Sequence, residues 1–378
     1  MHDVAVLGIG MSPFVGVTDQ SLRAQSYLAG ARALEDAGIG FEQVKRVYTA
    51  FIFEPTMAGV RFTKEFGLTG IPVQRIENAS ATGSAALHEA VLAVSGGHAD
   101  IVMVLGFDDM QKNVSVGMTK DSTDGVILPA AFFALWAKDR MKEYGTSAET
   151  LAKIAAKNWN NGALNPMAQR QPKNPITPAK ILASKMISDP LTSMMAAGVG
   201  QGAAAVIVAR ADLARKLHPD RPQVVIRASV LESERYTEHH LFAGPVVGPQ
   251  AMTRSAARAA YEQAAVGPED IDLVQVHDAF PIEELLYYEL LGFCADGEGD
   301  QLVKEGATQI GGRIPFSTDG GLIGRGHPGG PTGLAQIWET THQLRGTAGP
   351  RQVEGAQLGM CHMVGGGSVC VIHLLERQ

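Results

Sequence analysis

Three cysteines in 378 residues, Cys294, Cys361 and Cys370, are too few and too irregularly spaced for a disulfide framework, and none forms a Cys-x-x-Cys pair. Disulfide-stapled secreted folds and structural zinc modules are set aside, and a reducing cytoplasm is the expected setting. Neither a His-Glu-x-x-His pattern nor a carboxylate-rich loop occurs, so no metal is expected in this chain. Long apolar runs are missing too. None reaches the ~18 residues of a spanning helix, and Met1-His2-Asp3-Val4 leads into a strand without a basic-then-apolar leader. Basic excess is equally scarce: the formal net charge is -7, and the scattered Lys and Arg leave no electrostatic footprint for nucleic acid. A soluble protein with neither membrane nor nucleic acid as partner is expected.

Small and apolar residues are abundant instead. With 45% hydrophobic residues and 43 glycines, the chain can bury a large core divided into two domain-sized halves. Val4–Gly10 reads as a buried strand, residues 21–37 as a helix stopped by Gly38, and Val47–Phe51 as the next strand. Residues 80–95 read as a small-residue helix that can be buried all round, followed by a strand at Ile101–Gly106. From Lys112 to Asp189 the pattern loosens into loops and helices (129–144 and 148–160). This stretch is expected to be an insertion over a site, and Met118, Met141, Met167 and Met186 are consistent with a broad apolar tunnel there. Regular order resumes with strands at 202–208 and 224–228, a helix at 252–265 and a strand at 271–276. Helices at 283–291 and 333–344 and a closing strand at 370–375 complete the pattern. Alternating strands and helices imply an α/β fold with mixed, mostly parallel sheets and a site at the strands' C-terminal ends. The expected division is 1–111 with 190–225, the insertion 112–189, and 226–378.

Four stretches place reactive-type residues among glycines or small residues at strand-helix junctions: Asn78-Ala79-Ser80-Ala81-Thr82-Gly83, His277-Asp278-Ala279-Phe280, Gly326-His327-Pro328-Gly329-Gly330-Pro331-Thr332-Gly333 and His362-Met363-Val364-Gly365-Gly366-Gly367. A lone Gly-His-Pro is equally well a turn, but four such stretches suggest one site built from distant loops, with imidazoles presented at helix N-termini. The stretches around Ser80 and His327 also rhyme, which implies two similar halves. The acidic pairs Asp108-Asp109 and Glu283-Glu284, and the run Glu232-Ser233-Glu234-Arg235, read as solvated faces.

Together these motifs resemble the four active-site loops of the thiolase superfamily, in its sterol-carrier and lipid-transfer branch. The resemblance implies a five-layered α/β/α/β/α fold of duplicated halves, usually dimeric, acting on acyl-CoA, with coenzyme A as part of the substrate and no tightly bound cofactor. It implies a nucleophilic cysteine where this chain has Ser80 and a proton-shuttling cysteine where it has Ala279. His327 matches the activating histidine, His277 the oxyanion-hole histidine, and His362 the histidine before the terminal glycines, with Gly366 and Gly367 at the CoA side. Gln201 stands where relatives carry an acidic residue.

Without both thiols, ordinary thiolysis is not expected. Three readings follow. In the first, a β-hydroxyacyl-CoA, such as a steroid side-chain thioester, is cleaved by retro-aldol chemistry, as in related steroid-degrading aldolases that work with a small zinc-containing, OB-like partner. Tyr288, Tyr287 and Tyr236 are candidate proton carriers there, and Cys361 a possible donor. In the second, Ser80 is acylated in an acyltransferase or hydrolase. In the third, the chain is an inactive lipid- or acyl-CoA-binding scaffold.

Overall fold

The computed structural model describes residues 2–16, 18–110, 129–235, 250–366 and 368–378. The first half contains β1 (Val4–Met11), α1 (Leu22–Ala37), β2 (Arg46–Ala50), α2 (Ala58–Thr63), β3 (Val73–Ile76), α3 (Thr82–Ser95) and β4 (Ile101–Asp109). Next come α4 (Pro129–Tyr144), α5 (Ala148–Ala163), α6 (Pro178–Leu182) and the small hairpin β5 (Met186–Ser188) and β6 (Leu191–Thr192), before β7 (Gln201–Arg210) and α7 (Ala211–Leu217). The second half contains β8 (Val224–Ser233), α8 (Gln250–Ala264), β9 (Leu273–Gln275), α9 (Pro281–Leu290), α10 (Gly299–Lys304), α11 (Gly321–Gly324), α12 (Gly329–Arg345), β10 (Leu358–Gly365) and β11 (Val369–Arg377). The division expected between 225 and 226 falls inside β8, which pairs along its length with β11.

Nine strands run in the order β3-β2-β4-β7-β1-β8-β11-β10-β9, the two halves meeting where Ala5 pairs with Val225. The sheet is mixed. β2 is parallel to β3 and β4, and β7 is antiparallel to both β4 and β1, so only β7 opposes the other four strands of its half. In the second half β9 is parallel to β10, and β11 is the strand that opposes its neighbours.

Alternation along the strands sorts the core into layers. Ala5 and Leu7 of β1 join α1 in one cluster, whereas Val4 and Val6 face the central cluster that holds α3 and α12. A bulge between Val6 and Gly8 then keeps Ile9 and Met11 on that central side. On the far side of the second half, α5, α8 and α9 cover Val274, Ile372 and Leu374. The result is the five-layer α/β/α/β/α sandwich, with α3 and α12 as its middle layer.

The local reasons are ordinary ones. Ser21 caps α1 by accepting from the Ala24 N–H, and Gly38 ends it with φ 63°. Helix α3 can be buried because its inward residues are Gly83, Ser84, Ala85, Ala86 and Ala90. The two central helices approach at backbone contact: a methyl group on Gly83 would lie 2.5 Å from the Gly330 carbonyl oxygen, and one on Gly333 would lie 2.7 Å from the Ser84 nitrogen. Such a contact demands a backbone shift rather than a side-chain rotation. Gly83→Ala is therefore expected to destabilise the fold by about 1–3 kcal/mol, read as a lower denaturation midpoint, although alanine is the better helix former.

Candidate functional site

Ser80 and His327 meet at the starts of the two central helices. After β3 the chain turns through Ala79, whose φ of 47° is unusual for a residue with a side chain. Asn78 donates its backbone N–H to the Thr82 hydroxyl at 2.8 Å, which fixes the turn just before α3. On the other side Gly326, with φ 106°, and Pro328 bring His327 to the first turn of α12. The Ser80 Oγ lies 3.1 Å from His327 Nε2.

Hydrogen bonding assigns the tautomer of that imidazole. The Thr332 hydroxyl donates to the Pro328 carbonyl at 2.5 Å, so towards the ring it can only accept, and His327 Nδ1 lies 2.8 Å from it. Nδ1 therefore carries the proton, Nε2 presents a lone pair, and Ser80 donates to it. Burial drives His327 well below the usual histidine range, with His277 and Arg325 adding to the effect, so the ring is neutral. A hydroxyl facing a neutral imidazole lone pair is the geometry of general-base activation.

His277 follows β9 and meets the His327 ring edge-to-face, with centroids 5.5 Å apart. Its Nδ1 donates to Glu283 Oε1 at 2.9 Å, and its Nε2 has no hydrogen-bond partner among the described residues. His362 lies in strand β10 rather than in a loop, fully buried, with neither ring nitrogen hydrogen-bonded. The Tyr287 ring packs on it at 4.3 Å. Burial holds His362 down at about 3, with the charge of His277 contributing, so it too is neutral. The structure thus brings together Ser80, His277, His327 and His362 from both halves, and it leaves the two Nε2 atoms of His277 and His362 and one Nδ1 unpartnered. Among the described residues, no group of three or more His, Cys, Asp and Glu is placed to hold a metal ion, and no helix is long and apolar enough to cross a membrane.

The acidic pairs read as solvated are buried and organise the site. Asp108, at the end of β4, accepts from the backbone N–H groups of Ile52, Phe53 and Gly330, the last at 2.6 Å, so it ties β4 and the loop after β2 to the start of α12. Desolvation raises its carboxyl to about 7 against those three donors. Glu283 holds His277, while Glu284 accepts from Asn158 and from the Tyr288 and Ser317 hydroxyls, beside Lys157 at 2.9 Å. Asp278 accepts from the N–H of Leu322 and the side chain of Asn158, linking the His277 loop to α11 and so to His327. Arg325, fully buried, pairs with Asp319 and donates to the Thr332 carbonyl. The Glu232–Arg235 pair is partly exposed, as read from the sequence.

Residues 4–212 match the family description "Thiolase, N-terminal domain", and residues 234–376 match "Thiolase C-terminal domain-like". The chain belongs to the thiolase family. It is 38% identical to an acetyl-CoA acetyltransferase of Methanothermobacter thermautotrophicus over the whole of both chains. It is 35% identical to sterol carrier protein 2 of Homo sapiens, covering all of this chain and 72% of that protein. A solved structure titled "Ltp2-ChsH2(DUF35) aldolase" superposes with a TM-score of 0.85 at 24% identity, covering 99% of this chain and 98% of that one.

In this thiolase-family chain the remaining candidates fall away from the cluster. Successive residues on a helix point ~100° apart, so Tyr287 faces His362 while Tyr288 turns to Glu284, Thr308 and the Phe316 ring. Tyr288 is not part of the histidine cluster, and Tyr236 lies outside the described residues. Cys361 faces the opposite side of β10 from His362 and bonds Thr340, which takes it away from the cluster, and burial pushes its thiol up to about 12. Gly366, with φ 54°, forms the turn after β10, where Gly365 approaches the Asn78 carbonyl, and Gly367 lies outside the described residues. Gln201 bonds the Gln20 carbonyl and Gln25 near α1. Of the described methionines in the insertion, Met141 packs on the second-half core and Met167 on the central layer, the core placement that their pattern fits as well as a tunnel, and Met186 is exposed; Met118 lies outside the described residues. Spacing alone could have signalled Glu283, since a glutamate three residues after Phe280 is at the position that caps α9.

Acid stability tests the buried neutral state of His362. Its folded value is depressed from 6.5 to about 3, so the unfolded chain binds the extra proton and stability falls as pH drops from about 6.5 towards 3. Replacing it in His362→Phe should flatten that slope by up to about 1.4 kcal/mol per pH unit. Urea midpoints at pH 7, 6 and 5 measure the difference.

Proposed function

We propose that this chain processes acyl-CoA thioesters and cleaves a carbon–carbon bond of a β-hydroxyacyl-CoA, such as a steroid side-chain CoA thioester, by retro-aldol chemistry without a cysteine nucleophile. The observation that carries the reading is the division of labour among the histidines. A neutral imidazole base stands at Ser80, and imidazoles with free nitrogens stand opposite, where the family resemblance puts thiols at positions held here by Ser80 and Ala279.

In this scheme His327 Nε2 takes the β-hydroxyl proton, directly or through the Ser80 hydroxyl. The bond between the α- and β-carbons breaks, and its electron pair passes to the thioester as an enolate while the β-carbon leaves as a ketone or aldehyde. His277, holding protons on both ring nitrogens beside the Glu283 carboxylate, donates a hydrogen bond from Nε2 to the enolate oxygen, and the low-dielectric pocket strengthens that bond. The proton held on His327 then returns to the α-carbon and releases the shortened acyl-CoA. Coenzyme A enters as part of the substrate, and the turn at Gly366 is assigned to its side of the site. A homodimer, and a small zinc-containing OB-fold partner, complete the proposal; the solved aldolase named above carries two protein names in its title.

A second reading is favoured by the 3.1 Å Ser80–His327 pair and by the relative named acetyl-CoA acetyltransferase: Ser80 becomes acylated and passes the acyl group on. Substrate incubations followed by mass spectrometry separate the two, using β-hydroxyacyl-CoA and β-ketoacyl-CoA with and without a small zinc-binding partner. On the retro-aldol reading, ketone or aldehyde appears, Ser80→Ala keeps cleavage within about tenfold, and His327→Ala loses on the order of 10²- to 10⁴-fold. A persistent acyl-Ser80 adduct, lost in Ser80→Ala together with all turnover, would move the assignment to acyl transfer. Acyl-CoA binding without turnover, unchanged in His327→Ala, would leave only a binding or scaffold role.

A further inference from the structure

Among the described residues Glu283 is the carboxylate hydrogen-bonded to the histidine cluster, and its donors come from the elements that build the site. It is 2% exposed and accepts from His277 Nδ1 at 2.9 Å, from the Phe280 backbone N–H at 3.2 Å and from the Tyr287 hydroxyl at 3.2 Å. The Phe280 bond is the capping contact of α9, so the carboxylate is pinned by a helix terminus and cannot follow the imidazole if the ring turns. Tyr287 spans the cluster: its hydroxyl binds Glu283 and its ring lies on His362. The three histidines therefore differ in what stands behind them. Behind His327 is a hydroxyl whose own proton is committed to the Pro328 carbonyl; behind His277 is a carboxylate; behind His362, among the described residues, neither ring nitrogen has a hydrogen-bonding partner.

We propose that Glu283, tensioned by Tyr287, is the positioning residue that makes His277 the hydrogen-bond donor of the site through Nε2, so that His277 and His327 are forced into opposite roles. A carboxylate at Nδ1 fixes the ring plane and holds a proton on Nδ1; a neutral ring would then offer a lone pair at Nε2 as His327 does, but the negative charge favours the doubly protonated ring, and that form donates through Nε2. The titratable groups facing His277 are Glu283 and Tyr287 from α9, His327 from the loop before α12 and His362 from β10. Among the described residues, neither of the other two imidazoles has a carboxylate at a ring nitrogen, so the carboxylate is what distinguishes His277 from them. The catalytic part of this inference rests on the retro-aldol reading, but the assignment of the donor does not.

Two substitutions act in opposite directions. Glu283→Gln keeps an oxygen for Nδ1 but removes the charge, and Tyr287→Phe removes a hydroxyl that competes with His277 for the carboxylate. Imidazole nitrogen NMR on ¹⁵N-histidine-labelled protein, with His277 assigned by its loss in His277→Gln, should show its titration midpoint moving down in Glu283→Gln and up in Tyr287→Phe. A merely structural role for the pair would move both the same way or neither. With β-hydroxyacyl-CoA as substrate, Glu283→Gln should lower kcat on the order of 10- to 100-fold, with KM within about twofold. Glu283→Asp should recover part of the loss, because the charge returns on a shorter arm. Unchanged His277 signals in both variants would overturn the proposal, as would kcat in folded Glu283→Gln within twofold of the parent. If the opposed NMR shifts appear but the parent protein cleaves no β-hydroxyacyl-CoA, the donor assignment stands and the retro-aldol reading fails.

Discussion

The site depends on two buried helix starts touching at their backbones. Gly83 of α3 and Gly333 of α12 remove the side chains that would hold those helices apart, and only at that separation can Ser80 reach His327. The partners come from opposite halves of the chain, so neither half alone contains the pair. Asp108 holds the contact by collecting backbone N–H groups from the loop after β2 and from α12 at the end of β4. Its carboxylate supplies acceptors for helix-terminus donors that would otherwise be buried and unmet.

Burial then sets the chemistry. An imidazole removed from water favours its neutral form, and two of the three histidines in the cluster are driven that way. What separates them is the group behind each ring: a hydroxyl at His327 and a carboxylate at His277, whose charge can balance a second proton. The supporting layer is accordingly as polar as the site itself. Asp278, Glu284, Lys157 and Asn158 are all largely buried and meet one another's donors and acceptors, while Asp278 also accepts from Leu322 and Arg325 pairs with Asp319, joining the His277 loop to the segment that carries His327. Such a network is tolerable only when closely satisfied.

Much of the fold was legible because periodicity and caps report local structure directly. The strand at the start of the chain, α1 between Ser21 and Gly38, the small-residue α3 and the helix after His327 all appear where their patterns put them. β3 was not legible: it is an edge strand whose Gln74 and Arg75 are exposed, so it shows no apolar run. The region around His362 read as a loop because of its glycines, yet Leu358–Gly365 forms a strand held between β9 and β11. The acidic pairs were misjudged for a related reason. Charge in a sequence usually means solvent, and only a folded neighbourhood with backbone donors or imidazoles to receive it makes burial affordable.

By itself the sequence determined which residues could do chemistry and roughly where each would sit: a serine and three histidines beside glycines at the ends of strands, in two halves of similar pattern. Those choices are local, since caps, turns and alternation depend on near neighbours. The tertiary structure alone decided that the four side chains meet, that Tyr287 rather than Tyr288 faces the cluster, and which nitrogen of His327 is free. Contacts such as Ser80 to His327, 247 residues apart, are set by packing across the central layer, and no short-range pattern encodes the distance at which two helices stop.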